Sequence, residues 1–469
     1  MPKRLRPLSG LDAAFLYLEA AGTPMHVGSV MLLQPPPRRR HYDFHRTLIA
    51  HMRERLPQAP VLRRVLREAP LDLGHPMWSD GPMPDLDKHV QTRRLPAPGS
   101  LTQLWRQVAD LHADPLPRDR PLWQFVVIEG LASGELVLYS KIHHALLDGQ
   151  GGTALAQALL DVRPTQPRRG SSKSDARPAQ ATRKRDLAAT ALRASAQQLA
   201  TLMRALPMTL KVAADAARGA GGLISRLRDS VTLAPRTPFN AQVGPQRSFA
   251  VASLPLDRVK HVARHFGASL NDVVLALCAA TLRDYLLRRK ALPDRPLIAA
   301  MPVSLRAAGN AEINNQVSMV QCALATDIAD PVERLRAISA ATGQLKREVA
   351  SFRGLIPTDF PGFAAPIWAS GLSRLWARTR IAERLPPLAN VAISNVPGPA
   401  VPLYLAGAKV QHYFPVSIVT HGLGLNITVN SYAGWLEFGL IAGRDIAPKL
   451  DTLANGLARG LNVLMANSE

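Results

Sequence analysis

The run Lys141-Ile142-His143-His144-Ala145-Leu146-Leu147-Asp148-Gly149-Gln150 holds the residue types best suited to chemistry in this chain. An imidazole takes up a proton near neutral pH and returns it within one turnover, the work of a general acid–base. Asp148 can lock the local turn, and Gly149 beside it lets backbone or ligand come close. Glu135 to His143 reads as a strand rich in Leu, Val and Ile. Gly149 and Gly151-Gly152 break that strand, and Thr153–Leu160 reads as the start of a helix. The chain thus presents a base at a strand end. A His-His pair alone is usually structural, whereas the whole HHxxxDG string at a strand-to-helix junction is far more specific. Metal binding is disfavoured. Neighbouring residues on a strand point to opposite faces, and no third His, Cys or carboxylate stands nearby at a metal-ligand spacing.

The elements around this run must hold it in place. Ser9 can cap a helix carrying Ala14, Phe15, Leu18 and Glu19, with Asp12 reaching back as in a capping box. Met25–Leu33 reads as a strand, Phe44–Arg55 and Leu101–Ala113 as helices, and Gln124–Glu129 as a strand that turns at Ala132-Ser133-Gly134 into the one ending in the histidines. Residues 1–160 thus form one unit closed by the reactive run. From Arg163 to Arg185 the composition shifts to Pro, Arg, Ser, Gln and Lys, a flexible basic linker. Leu187–Leu227 reads as a basic amphipathic helix that either lies on an anionic membrane or packs between two halves of the protein. Residues 161–238 therefore form a linker and crossover.

Residues 239–469 read as a second α/β unit. Its helices are expected at Leu256–Phe266, from Ser269 onward, at Leu335–Val349 and at Leu450–Met465. Strands are expected at 248–256, Pro296–Pro302, Asn315–Leu324 and Leu388–Ser394, with a hairpin over 424–441. The stretch Val410–Leu436 lacks Lys, Arg, Asp and Glu, but its Pro, Gly and Asn residues mark strands and turns rather than a membrane span.

With 469 residues, 47% of them hydrophobic, the chain can bury a large core, which excludes wholesale disorder. Cys278 and Cys322 stand in apolar surroundings and read as small buried side chains, not a disulfide, which fits a reducing compartment. Asp12 and Glu19 interrupt the apolar stretch near the start, so no signal peptide is expected. The formal net charge of +22 attracts polyanions. Aromatic residues are only 5% and no nucleic-acid motif is visible, so an anionic membrane surface or a phosphorylated small molecule is the better partner. The plain alternative is solvation by an Arg-rich composition.

Several further strings, taken with HHALLDG at His143–Gly149, resemble the bacterial wax ester synthase/diacylglycerol acyltransferase family. They are LSGLDAAFLYLE, MHVGSV, RPLW at Arg120–Trp123, NDVVLA at Asn271–Ala276, PVSLR at Pro302–Arg306, NNQVS at Asn314–Ser318 and SNVPGP at Ser394–Pro399. The resemblance spans nearly the whole chain, and the basic insert after Arg163 departs from it. It implies an α/β fold of two chloramphenicol acetyltransferase-like lobes joined by a long crossover, with the active site in a tunnel between them. It also implies transfer of a fatty acyl group from acyl-CoA to diacylglycerol or a long-chain alcohol, with acyl-CoA a substrate and no cofactor. By the same resemblance His144 is the general base, within a motif of His143, His144, Asp148 and Gly149, and Asp148 holds the motif loop. Arg306 is our candidate partner for Asp148, its alternative being a surface arginine. Asn271 and Asp272 are expected to shape the site, although a helix cap made with Ser269 alone explains Asp272. Ser394 and Asn395 are expected to form a channel wall, or simply a rigid Pro-Gly turn. Pro121, Leu122 and Trp123 are further site-shaping candidates. The expected location is cytoplasmic, peripherally on the inner membrane or lipid droplets. The competing readings are an acyltransferase using another acceptor or a carrier-bound donor, and a non-catalytic protein coating lipid droplets.

Overall fold

A short strand, β1 (Leu5–Pro7), leads into helix α1 (Gly10–Leu18), which starts where Ser9 Oγ accepts the Asp12 N–H at 3.1 Å. In this computed structural model the described residues are 5–20, 22–37, 42–68, 75–146, 151–164, 232–304, 317–352 and 385–468. Strand β2 (His26–Gln34) follows, then α2 (Phe44–Arg55), capped by Asp43. Next come β3 (Arg64–Arg67), β4 (Met77–Asp80), a one-turn α3 (Leu86–His89) and β5 (Val90–Arg94). A full capping box of Ser100 and Gln103 opens α4 (Leu101–Ala113). Strands β6 (Trp123–Glu129) and β7 (Leu136–His143) form a hairpin, and α5 (Gly151–Leu159) follows the histidine pair.

The second half begins with β8 (Arg247–Pro255), α6 (Leu256–His265) and α7 (Leu270–Arg288). It continues with β9 (Ile298–Ser304), β10 (Val317–Ala323), α8 (Pro331–Phe352) and β11 (Val391–Val396). Then come β12 (Tyr404–Leu405), β13 (Ala408–Val416), β14 (Leu425–Tyr432), β15 (Trp435–Gly443) and α9 (Leu450–Ala466).

Two six-stranded sheets carry the two lobes, in the orders β12-β13-β2-β7-β6-β5 and β10-β9-β11-β14-β15-β8. A small sheet of β1, β4 and β3 accompanies the first. The lobes do not follow the expected division at residues 160 and 239. Strand β13, from the second half, pairs antiparallel with β2 from Gln34↔Lys409 to Gly28↔Val416. That pairing covers backbone groups on β2 that an edge strand would leave open. The junction is also pinned by side chains. His412 of β13 meets the fully buried Glu437 of β15 at 2.9 Å, and Ser253 of β8 donates to the same carboxylate.

Alternation along the strands splits the first-lobe sheet into two faces. Val30, Leu32, Val126, Val137 and Tyr139 join Leu104 and Val108 of α4 in a core continuous with the second lobe. Met31, Leu33, Phe125, Leu138 and Ile142 pack the other way, against Leu48 and Met52 of α2 and Leu155 and Leu159 of α5. Helix α7 is buried nearly all round, Cys278 included. No single helix among the described residues is long and apolar enough to cross a membrane. The basic stretch to Arg185 beyond residue 164 and the expected helix Leu187–Leu227 lie outside the described residues.

Candidate active site

Strand β7 delivers the histidine pair. Its period of two sends Tyr139, Lys141 and His143 toward α4, and Leu138, Ser140 and Ile142 toward α5. The main chain fixes the strand end. The His143 N–H donates to Leu122 O at 2.9 Å, and the His144 N–H to Met25 O at 2.8 Å. From His144 to Leu146 the backbone tightens into one 3₁₀ turn.

The two rings do different things. His143 is buried, and its Nδ1 accepts the Ala145 N–H at 3.1 Å. The neutral ring therefore carries its proton on Nε2, which faces Glu19 Oε1 at 3.5 Å, an ion-pair distance and not a full hydrogen bond. His144 stacks on Phe15 of α1, with ring centroids 3.9 Å apart and planes 15° apart. Among the described residues its Nδ1, which has essentially no surface, finds no hydrogen-bond partner, and the residue's own main-chain carbonyl acts on the ring. Burial lowers the His144 pKa to about 4, the carbonyl opposing and His143 reinforcing the shift. At neutral pH His144 is a neutral imidazole able to accept a proton.

Glu19 was legible in the sequence only as a charge interrupting an apolar stretch. In the structure it is the anion behind the pair. It accepts from Met25 N at 3.2 Å and from Arg118 Nη2 at 2.8 Å, besides facing His143. Burial pushes its pKa up, but His143, Arg118 and the Met25 N–H outweigh that and hold it at about 2. Residues four apart on a helix share a face, and an aromatic and an acid at that spacing were the signal for this pair of supports.

A buried polar cluster backs the strand. Lys141 Nζ donates to Leu111 O and Asp114 O at the C-terminal end of α4, at 2.8 and 2.9 Å, where the helix dipole favours a cation. His112 Nε2 donates to Ser417 O at 2.8 Å, so its Nδ1 accepts from Tyr139 Oη at 2.7 Å. His26 Nε2 donates to His112 O at 2.7 Å. Burial, then Lys141, lowers the His112 pKa to about 3.

The other sequence candidates fall into three groups. Asp148, Gly149 and Arg306 lie outside the described residues. Pro121, Leu122 and Trp123 are buried in the first-lobe core. Leu122 O holds the His143 N–H, and Trp123 Nε1 donates to Leu62 O at 2.8 Å. Asn271 and Asn395 do come together, Asn395 Nδ2 donating to Asn271 Oδ1 at 3.3 Å, but neither hydrogen-bonds to the histidine pair. Ser394, on β11, stands opposite Thr428 of β14. Just beyond, Gly398 has no room for a side chain: a Cβ would lie 2.2 Å from Ser431 O. Asp272 turns inward. It caps α7 with Ser269 and accepts from Ser339 and Thr342 of α8.

An apolar cavity of about 130 Å³ lies between β2, β7 and α5, lined by Val27, Met31, Ile142, Leu155 and Leu159 among others. Its polar edge is formed by Tyr413 and by Ser29 and Ser140, whose hydroxyls are 2.8 Å apart. A volume of this size takes roughly six carbon atoms, by analogy with the benzene-sized cavities of engineered cores. Both thiols are buried, which pushes Cys278 up to about 12 and Cys322 up to about 11, so neither is a thiolate at neutral pH. Among the described residues, no three His, Cys, Asp or Glu side chains are arranged to hold a metal ion.

Residues 8–274 match the wax ester synthase/diacylglycerol acyltransferase catalytic domain, and residues 313–465 match the WS/DGAT C-terminal domain. The catalytic domain thus runs past the crossover into α7. A Mycobacterium tuberculosis protein named as a diacylglycerol O-acyltransferase is 37% identical over 464 residues, 97% of this chain and 99% of that protein. The solved wax ester synthase/diacylglycerol acyltransferase of Marinobacter aquaeolei VT8 superposes with a TM-score of 0.69 at 29% identity, covering 98% of this chain and 99% of that one. The starter condensation domain of rhizomide synthetase shares the fold alone, at 13% identity and a TM-score of 0.55 over 99% of this chain and 94% of that one. Matched in both domains and along almost its whole length, the chain belongs to the wax ester synthase/diacylglycerol acyltransferase family.

Proposed function

We propose that this protein is an acyl-CoA-dependent O-acyltransferase that moves a fatty acyl group to diacylglycerol, forming triacylglycerol, or to a long-chain alcohol, forming a wax ester. The observation that carries the reading is the neutral, largely desolvated imidazole of His144, set at the end of the strand whose Leu138, Ser140 and Ile142 line an apolar cavity. With Nδ1 closed off, Nε2 is the nitrogen left to react. It takes the proton of the acceptor hydroxyl as the oxygen attacks the thioester carbonyl. The tetrahedral intermediate then collapses. The C–O bond is kept, the C–S bond breaks, and the imidazolium returns its proton to the departing CoA sulfur. No acyl-enzyme is required, in keeping with two cysteines that stay protonated.

The remaining assignments belong to the same proposal. Asp148 holds the motif turn with Arg306 as its partner, and the Asn271–Asn395 contact with Ser394 forms part of the channel wall. Pro121, Leu122 and Trp123 brace the pair from behind. Acyl-CoA is a substrate and no cofactor or metal takes part. The cavity under α5 receives part of an alkyl chain, each buried methylene contributing about 0.8 kcal/mol. The charge of +22 draws the protein to an anionic membrane or droplet surface on the cytoplasmic side.

The test is thiol release from palmitoyl-CoA with diolein, hexadecanol and a long-chain amine as acceptors, with product analysis. Ester formation abolished by His144→Ala in a folded protein is the expected result. Amide formation in preference to ester, or turnover indifferent to His144→Ala, would overturn it.

A further inference from the structure

Phe15 and Glu19 stand one helical turn apart, the first on α1 and the second at its C-terminal cap, and each meets one of the two adjacent histidines. We propose, on the reading that His144 is the base, that these two are its positioning residues. The Phe15 ring sets the plane of the His144 imidazole, and the Glu19 carboxylate holds His143 together with the Met25 peptide to which His144 is tied.

The geometry forms a closed circuit. Glu19 Oε1 faces His143 Nε2 at 3.5 Å and accepts the Met25 N–H at 3.2 Å. The other end of the Met25 residue, its carbonyl, accepts the His144 N–H at 2.8 Å. Glu19 Oε2 is held in turn by Arg118 at 2.8 Å. One carboxylate therefore controls the side chain of the first histidine and the main chain of the second. Among the described residues no side chain hydrogen-bonds the Nδ1 of the second, and the stacked Phe15 ring, its centroid 3.9 Å away, sets the plane of the imidazole. The stack also keeps water from one face of the imidazole. Among the described residues, the titratable and charged groups around the pair are Glu19, which faces His143, Arg118, which holds Glu19, and His26 of β2, His112 of α4 and Lys141 of β7 behind them.

Misplacing a reacting group by about an ångström costs on the order of 10²-fold in rate, while substrate binding elsewhere is untouched. The experiment uses the full-length enzyme with palmitoyl-CoA and hexadecanol. It compares wild type, Glu19→Gln, Phe15→Leu, Phe15→Tyr and His144→Ala, with thermal melts on each. The Gln amide has one oxygen, so its N–H is set against either Arg118 or the His143 and Met25 donors and breaks the circuit there, and kcat is expected to fall on the order of 10²-fold with KM for acyl-CoA changed less than about threefold. Phe15→Leu keeps apolar volume but loses the flat stack. The acid limb of kcat/KM should move up from about 4 toward the ordinary histidine value of 6.5, and Phe15→Tyr should restore it.

Wild-type kcat and an unmoved acid limb in folded Glu19→Gln and Phe15→Leu would overturn the proposal while leaving His144 as the base. A wild-type enzyme indifferent to His144→Ala would instead overturn the function reading and this proposal with it. If Glu19→Gln does not fold, the comparison of Phe15→Leu with Phe15→Tyr decides alone.

Discussion

Replacing Asp272 by Ala separates a site-shaping role from a structural one. The carboxylate is 3% exposed and takes three hydrogen bonds besides its cap on Ser269 Oγ through the main chain. Oδ2 accepts from Ser269 N at 2.8 Å and from Ser339 Oγ at 3.2 Å, and Oδ1 accepts from Thr342 Oγ1 at 2.6 Å. A hydrogen bond to a charged group contributes about 1.5–3 kcal/mol. Relief from burying the anion offsets part of that sum, leaving a net loss of about 3 kcal/mol. For a chain of this length melting as one unit, the unfolding entropy scales so that about 1 kcal/mol shifts Tm by roughly 1 °C. A drop of about 3 °C is therefore expected, and a larger one if the second lobe melts by itself. Asp272→Asn should lose less, because its oxygen still receives Thr342, although its amide then opposes the Ser269 N–H. The assay is a thermal melt paired with kcat measured well below the transition. Turnover should stay within about threefold of wild type, since surviving molecules keep the histidine pair intact. Unchanged melting with turnover reduced a hundredfold would refute this reasoning and put Asp272 at the chemistry.

Acid should destabilise the protein well before its carboxylates protonate. His112 and His144 are held near 3 and 4, below their unfolded value of 6.5, so the unfolded chain takes up protons first. Stability is full above 6.5 and falls as pH drops toward those folded values, by about 2 kcal/mol per histidine at pH 5. Glu19, held near 2 against 4.5, adds a further loss between those two values. A melting temperature flat from pH 7.5 to 5 would contradict this. Ala156→Phe, which fills the cavity under α5, should shift acyl-CoA preference toward shorter chains by tenfold or more, since about five displaced methylenes forfeit about 0.8 kcal/mol each. An unchanged chain-length profile would remove the cavity from the alkyl path.

Where local chemistry decides structure, the sequence was readable to the residue. Phe44–Arg55 and Leu101–Ala113 were expected and found with those limits, because Asp43 and the Ser100–Gln103 box mark their starts. The strand run up to His143, both buried cysteines and the Ser269 cap were legible for similar reasons. Strands β3 and β5 were not. RVLR and VQTRR are short and Arg-rich, and the sheets they join supply the pairing. The charge-free stretch from Val410 reads as strands and turns but does not tell which sheet Ala408–Val416 enters, since period two names a face and never a partner. The histidine pair was visible as a motif. Its supports were not, because Glu19 faces His143 from 124 residues away in the chain and Arg118 holds Glu19 across 99, contacts only the fold reveals.

The pairing of β13 with β2 bears on how the protein is made. On the ribosome, His26–Gln34 and the strand carrying the histidines emerge early, yet the ribbon that borders β2 is translated only near Val416. Until then the nascent first lobe has an unprotected flank, a known invitation to self-association. Expression of residues 1–238 alone would therefore yield a sheet missing its outer neighbour, and a break in the chain after synthesis would be tolerated far better than the loss of either piece.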